Sequence, residues 1–305
     1  MAETRSFRTN SGYVLAVLVL LGAGLVWATQ THRAATTSSA TTSSQPVTTV
    51  TQPASGKPAV WTGELLLVRH DQLIARQANG VERIVYAAPT GTTLGHTSQV
   101  AAGVVFVELR TGQASQVLSV KLVDGSASLS SAPDLTSSVP RPTGGSFATI
   151  VSSNAERDFG FTVNVVHGQT TTKLYQSPTP ISAMSWRNDG EVLAIANQAS
   201  LVLVTLTAGD TQTIPLPAPV VSLSWFGADV VMMTAQGPLL VRAGSKTATT
   251  LALDHSVGHD LLAVDDHRYL WISGASGSAD ILEQTVGQTS HTIGSTASAL
   301  LGFRD

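Results

Sequence analysis

Cysteine is absent from all 305 residues. That excludes disulfides, thiolate zinc ligands, a thiol nucleophile and a lipid-modified cysteine anchor. Charged residues are scarce, at 12%, with a net charge of −3. No basic block stands out, so the electrostatic footprint of a nucleic-acid binder is missing. The shortage of Glu, Lys and Arg argues against long surface helices. Thr, Ser, Ala, Val and Gly dominate instead, a mix that suits short strands and turns. Motifs for familiar chemistry are lacking too: there is no P-loop, dinucleotide fingerprint, His-Glu-x-x-His pair or Gly-x-Ser-x-Gly elbow with a following triad. Nothing in the sequence calls for a cofactor.

What is present begins with an address. Arg5 and Arg8 precede an uncharged apolar run, YVLAVLVLLGAGLVWA, over residues 13–28. It reads as a transmembrane signal anchor, slightly long for a signal-peptide core and with Trp27 at its outer edge. Cleavage after the small-residue pattern Val26-Trp27-Ala28 is the alternative. The positive-inside rule leaves residues 1–12 in the cytoplasm and sends the remainder outside. Residues 29–58, TQTHRAATTSSATTSSQPVTTVTQPASGKP, have too little apolar surface to offset their ordering entropy and read as a disordered or extended Ser/Thr/Pro stalk. The expected organisation is thus a single-pass membrane protein, N-terminus cytoplasmic, with an extracytoplasmic domain over residues 59–305.

That domain carries a period. Trp186, Trp225, Val264 and Phe303 follow one another at intervals of 39, and so do Met184, Leu223, Leu262 and Leu301 two places before them. Alternation of period two inside a repeat of this length describes a propeller blade of four strands. One unit reads through in full: ISAMSW, a turn at RNDG, EVLAIAN, a turn at QAS, LVLVTL, a turn at TAGD, then TQTIPL, whose Pro215 suits an outer edge. Earlier units are weaker. One is expected near 96–141, opening on TSQVAA and followed by a Pro/Gly-rich connection, and one near 146–180. The first folded stretch, ELLLVR, QLIARQ and ERIVYA, lacks an inner strand. The terminal ALLGF supplies it, closing the ring and removing exposed edges. The fold class is therefore all-β: a six-bladed β-propeller with a composite first and last blade, five or seven blades being the alternatives.

At AMSWRNDGEVLAIANQASLVLVTLTAGDTQTI the chain resembles the TolB-like and WD40-like propeller repeats of bacteria. Trp186, Asp189, Gly190, Leu193, Ala194 and Gly209 match the repeat pattern, whereas Arg187 and Asn188 stand where Ser-Pro is usual. The resemblance implies a binding platform, often for another protein.

One constellation bears on chemistry. LDHSVGHDLL carries Asp254, His255, His259 and Asp260 on the connection from one outer strand to the next inner strand. Loops on the same face add His70, Asp71, His96 and His167. Imidazoles and carboxylates together suit a divalent metal or a catalytic acid site; a plain ligand-binding rim, or ordinary polar turns, are the other readings. Asp265, Asp266 and His267 fall on the opposite face. Trp186 and Trp225, in register with Val264 and Phe303, read as packing between blades rather than as a sugar platform. The expected function is a non-catalytic binding or scaffold module for a protein or glycan partner in the envelope, with no nucleic acid. The alternatives are a hydrolase- or lyase-type propeller enzyme, and a sensor acting through a separate cytoplasmic protein.

Overall fold

The computed structural model describes residues 49–51, 61, 63–153, 160–254, 258–273 and 279–304. The anchor over 13–28, the greater part of the stalk, and His255 lie outside these residues. Among the described residues every regular element is a strand, and no helix is long and apolar enough to cross a membrane.

In chain order the strands are β1 (Thr49–Thr51), β2 (Glu64–Arg69), β3 (Gln72–Gln77), β4 (Val81–Ala87), β5 (Thr93–Thr97), β6 (Val104–Thr111), β7 (Ala114–Lys121), β8 (Ala127–Leu129), β9 (Ser138–Pro140), β10 (Phe147–Ser153), β11 (Gly160–His167) and β12 (Thr170–Ser177). They continue as β13 (Ile181–Trp186), β14 (Val192–Asn197), β15 (Ser200–Thr205), β16 (Thr211–Pro215), β17 (Val220–Phe226), β18 (Asp229–Thr234), β19 (Gly237–Val241), β20 (Thr249–Thr250), β21 (Gly258–Ala263), β22 (Arg268–Ser273), β23 (Ala279–Thr285) and β24 (His291–Arg304). β5–β8, β9–β12, β13–β16 and β17–β20 each form a four-stranded antiparallel sheet, and a fifth sheet has the order β1-β4-β3-β2-β24-β23-β22-β21.

The β13–β16 sheet shows why the repeat folds this way. β14 is buried at every position, as its unbroken apolar run VLAIAN requires when both faces are covered. The RNDG turn closes with Gly190 N–H donating to Arg187 O at 2.7 Å. Gly190 alone takes the positive φ, at 72°, while Asp189 uses its carboxylate to accept from Glu191 N at 2.9 Å. Asn197 Oδ1 gathers the next turn by accepting from Ala199 N and Ser200 N. Pro215 ends the outer strand β16.

Each sheet packs on the next. Trp186 and Leu193 meet Ala148 and Val163 of the β9–β12 sheet, Ala194 and Leu201 meet Leu223 and Met232, and Met233 and Leu240 meet Tyr269 and Trp271. Leu262 and Leu270 meet Leu65 and Leu67 inside the eight-stranded sheet, and Leu66 and Val85 meet Val105 and Val120. The β5–β8 and β9–β12 sheets touch through an edge-on Phe106–Phe147 pair at 5.0 Å and the Ala102 N to Pro142 O bond. The circuit is complete.

Closure lies in β24. Its first half pairs with β23 (Glu283↔His291, Ala279↔Ala297) and its second half with β2 (Arg69↔Ala297, Glu64↔Arg304). One continuous strand is therefore both the last strand of one four-stranded unit and the missing inner strand of the first. A buried charge network braces the crossing point. Arg69 and Arg76 both donate to Glu82, at 2.5 Å and 2.6 Å, and reach on to Ser295 O and Ile293 O of β24. Burial pushes the Glu82 carboxyl up, but the two arginines outweigh it and hold it below its ordinary value.

Three sequence expectations shift. β9 lies inside the stretch read as a Pro/Gly-rich connection; Pro140 at its end masked a three-residue strand. The inner strand expected to open at Thr97 opens at Thr93 as β5, because an irregularity between Leu94 and Thr97 breaks the alternation. Thr49–Thr51, within the span read as stalk, pairs with β4.

Candidate functional site

The inner strands β5, β13, β17, β21 and the second half of β24 line a central channel. All five carry a register irregularity toward the same end, with Ser182, Val221 and Asp260 again 39 residues apart. A bulge bends a strand and re-aims its side chains. At Asp260 the backbone takes a φ of 55°, and the residue bridges three strands. Its N–H donates to Ser222 Oγ at 2.9 Å and its Oδ2 accepts from Leu300 N at 3.0 Å. Lower in the channel Ser224 Oγ donates to Leu261 O at 2.6 Å, Trp225 Nε1 donates to Ser185 O at 2.9 Å, and Gln99 Nε2 donates to Ser185 Oγ at 2.7 Å. Side chains of one sheet thus take up inner-edge polar groups of another.

The channel has two parts. The wide part is a funnel of about 590 Å³ at the end where Trp186, Trp225 and Phe303 finish their strands. Trp61, Val100, Pro142, Phe226, Val264 and Leu301 complete its apolar wall, with Asn188 and Arg268 at its polar points. Trp61 and Phe303 lie 6.0 Å apart, ring to ring. The narrow part, about 170 Å³, shares Gln99, Ser224, Leu262 and Leu301 with the funnel and continues past Leu223 and Leu300 to Asp260.

The histidine-bearing residues are placed as follows. His70 sits exposed on the β2–β3 turn with a φ of 51°. Asp71 Oδ1 accepts from Leu94 N at 3.2 Å. His96 lies in strand β5 rather than a loop, its Nδ1 3.0 Å from Glu108 Oε2. The Arg110 hydrogen bond, with further ones from His96 and Ser115, holds Glu108 far below the ordinary carboxylate value. Asp254 is spent at the outer side of its sheet, accepting from Ser290 N at 2.7 Å and Gln284 Nε2 at 3.1 Å. His259 and Asp260, both inside β21, do meet, Nδ1 to Oδ2 at 3.2 Å. That hydrogen bond raises the His259 pKa against the effect of burial. His259 Nε2 is buried without a partner. Asp265, Asp266 and His267 stand at the other end of β21, beyond Ala263. Of the set, then, the structure joins His259 with Asp260. Among the described residues no three His, Asp or Glu side chains are grouped to hold a metal ion.

The tryptophans pack as their register implies. Trp186 is 1% exposed in the core between two sheets, with Arg141 over its ring at 5.9 Å, and Arg187 lies over Trp225 at 6.0 Å. Sequence reasoning placed function on the histidine face and missed the funnel. The signal was available: four large apolar residues 39 apart, each ending an inner strand, must converge on one end of the channel.

A second buried carboxylate lies away from the channel. Burial pushes Glu283 up, opposed by His291 at 3.3 Å and Arg268 at 4.0 Å. The folded protein therefore binds this proton more tightly than the unfolded chain does. Its contribution to stability is complete below the ordinary carboxylate value and declines as pH rises through that value to the raised one. Glu283→Gln is expected to flatten this decline in urea titrations taken at a series of pH values above 4.5. An unchanged slope would locate the proton elsewhere.

A closed circuit of radial antiparallel sheets around a channel, completed by one strand shared between first and last units, defines a β-propeller. Among solved structures the chain is similar to TolB from Acinetobacter baumannii, with 10% identity over 79% of this chain and 67% of that one and a TM-score of 0.54. It is also similar to a chain of the nidogen/laminin complex, with 8% identity over 79% and 97% and a TM-score of 0.55. At such identities the likeness is one of fold. No protein-family model matches the chain, and no curated protein matches it.

Proposed function

We propose that this chain is a six-bladed, membrane-anchored, extracytoplasmic propeller that works as a non-catalytic binding module for a protein or envelope polymer. Counting the shared strand β24 twice gives six four-stranded units, which supports the blade number. The observation that carries the binding reading is the funnel: a preformed apolar concavity of about 590 Å³, within the range of ligand sites. Arg268 is the one ionisable side chain on its wall, and it is paired with Asp265 at 2.6 Å. Acid–base chemistry needs converging ionisable groups; a wall of rings and aliphatic side chains suits retention of a ligand. A second reading, an enzyme at the narrow end, is favoured by the His259–Asp260 contact alone.

Two measurements test the proposal. Capture from membranes with the full chain as bait is expected to enrich a partner, and Trp61→Ala, at a half-buried funnel position, is expected to reduce the yield several-fold while His70→Ala leaves it unchanged. The reverse pattern would move function to the histidine face. A reporter fused after Asp305 is expected to be active outside the cytoplasm, and the mass of the membrane-extracted protein to be that of the uncleaved chain. A cytoplasmic reporter signal would overturn the localisation.

A further inference from the structure

Resting on the binding-module reading, we infer that the funnel holds an uncharged amphiphile: a single hydrocarbon chain bearing an acceptor oxygen, such as an ester carbonyl. The polar side chains of the wall select against a sugar. Ser185, Gln99, Ser224 and the Trp225 indole N–H are committed to one another or to backbone carbonyls. What they leave facing the lumen is hydrocarbon from Val100, Pro142, Val264, Leu301 and the aromatic rings. A glycan with hydroxyls all round would find its partners already taken.

Two donors remain. Trp61 Nε1 and Trp186 Nε1 are buried, belong to funnel-lining residues and have no acceptor. Trp186 is 1% exposed, so its donor is fixed in place by the core around it. An unpaired buried N–H is destabilising, and an acceptor oxygen on the ligand relieves it. The rim offers nothing to a net charge. Arg141 is paired with Glu191 at 2.8 Å, Arg187 with Asp189 at 2.6 Å and Arg268 with Asp265 at 2.6 Å. An anion would have to displace a carboxylate from one of these pairs.

The taper sets the shape. Beyond the shared Leu262 and Leu301 the cavity contracts to about 170 Å³ between Leu223, Leu261, Leu300 and Ala299, room for a chain and not for a second ring. Trp61 adds direction. It stands on the funnel wall, and from it the sequence runs back toward the apolar run at residues 13–28. The tether departs from the ligand mouth, which favours a ligand drawn from the adjoining bilayer.

The test uses the full chain held in amphipol. The uncharged fluorophore 1-N-phenylnaphthylamine is the probe, and monoolein and oleate compete with it at pH 8. Monoolein is expected to displace the probe at least ten-fold more effectively than oleate. Val264→Arg, which sets a charge in the wall, is expected to weaken probe binding ten-fold or more. Trp61→Ala, at a half-buried position with little demand on folding, does the same should Val264→Arg fail to fold. Trp186→Phe keeps a ring and removes the donor; it is expected to weaken monoolein several-fold and leave the fluorophore unchanged. Oleate binding as well as monoolein, or neither Val264→Arg nor Trp61→Ala affecting the probe, would overturn the inference. An uncharged apolar peptide displacing the probe where monoolein fails would also overturn it, while leaving the binding-module reading intact. Release of free oleate and glycerol from monoolein, detected by mass spectrometry, would instead overturn the non-catalytic reading itself.

Discussion

Removal of residues 299–305 is expected to leave the protein insoluble or destabilised by about 5 kcal/mol or more, since two or three large apolar side chains at about 1.5–3 kcal/mol each lose their burial. The truncation takes the half of β24 that pairs with β2, including Leu300, 6% exposed, and the half-buried Leu301 and Phe303. It strips the hydrogen-bonded neighbour from β2, whose Leu65, Leu66 and Leu67 are fully buried. It also removes the Leu300 N–H that Asp260 accepts. A domain stabilised by roughly 5–15 kcal/mol cannot absorb that loss and stay folded. Urea denaturation of soluble truncated protein with an unchanged midpoint would refute closure by β24.

Glu82→Ala is expected to cost about 3–5 kcal/mol, because it leaves two guanidinium groups without their counter-charge in a buried site. The Arg69 and Arg76 side chains are 13% and 8% exposed, and Glu82 is 4% exposed. Replacing all three by apolar side chains removes the ionic cost and is often neutral or better where a buried ion network stands alone. Here recovery is expected to be incomplete. Arg69 and Arg76 also donate to Ser295 O and Ile293 O at the crossing of β24, and those donors would be gone. Urea midpoints for the single and triple variants measure both effects. The charge network also has a sign in pH. Glu82 is held below its ordinary value, so its contribution is present above the ordinary carboxylate range and lost as pH falls through the lowered value. That is the opposite direction from Glu283.

Much of the fold was legible in the residues because the repeat is carried by burial. Trp186, Trp225, Val264 and Phe303 each end an inner strand, and every unit must cover the same apolar faces, so the interval of 39 survives even where the residue type does not. The RNDG turn and the edge position of Pro215 were readable for a local reason: a Gly at positive φ and a residue without an N–H each restrict what the chain can do. β9 was not readable. Ser138–Pro140 is too short to show alternation, and its place is set by pairing with Phe147–Thr149 of β10. The bulges were hidden for a similar reason, since one extra residue in a strand reads as the end of that strand. His96, Asp260 and His259 were therefore assigned to loops although they lie in β5 and β21.

The candidate site divides the same way. Residue types showed which groups were available for chemistry, but their partners come from distant parts of the chain. Asp254 meets Gln284 and Ser290, and Asp71 meets the Leu94 N–H. His96 meets Glu108, and Asp260 reaches Leu300. By itself the sequence determined the all-β repeat, the closing role of the last strand and the packing register of the tryptophans, because periodic burial and turn chemistry are written in neighbouring residues. Only the tertiary structure decided that the histidines disperse while the ends of the inner strands converge with Trp61 on an apolar funnel. Which side chains meet across a ring depends on strand register and bulges, and those are settled by pairing between segments far apart in the chain.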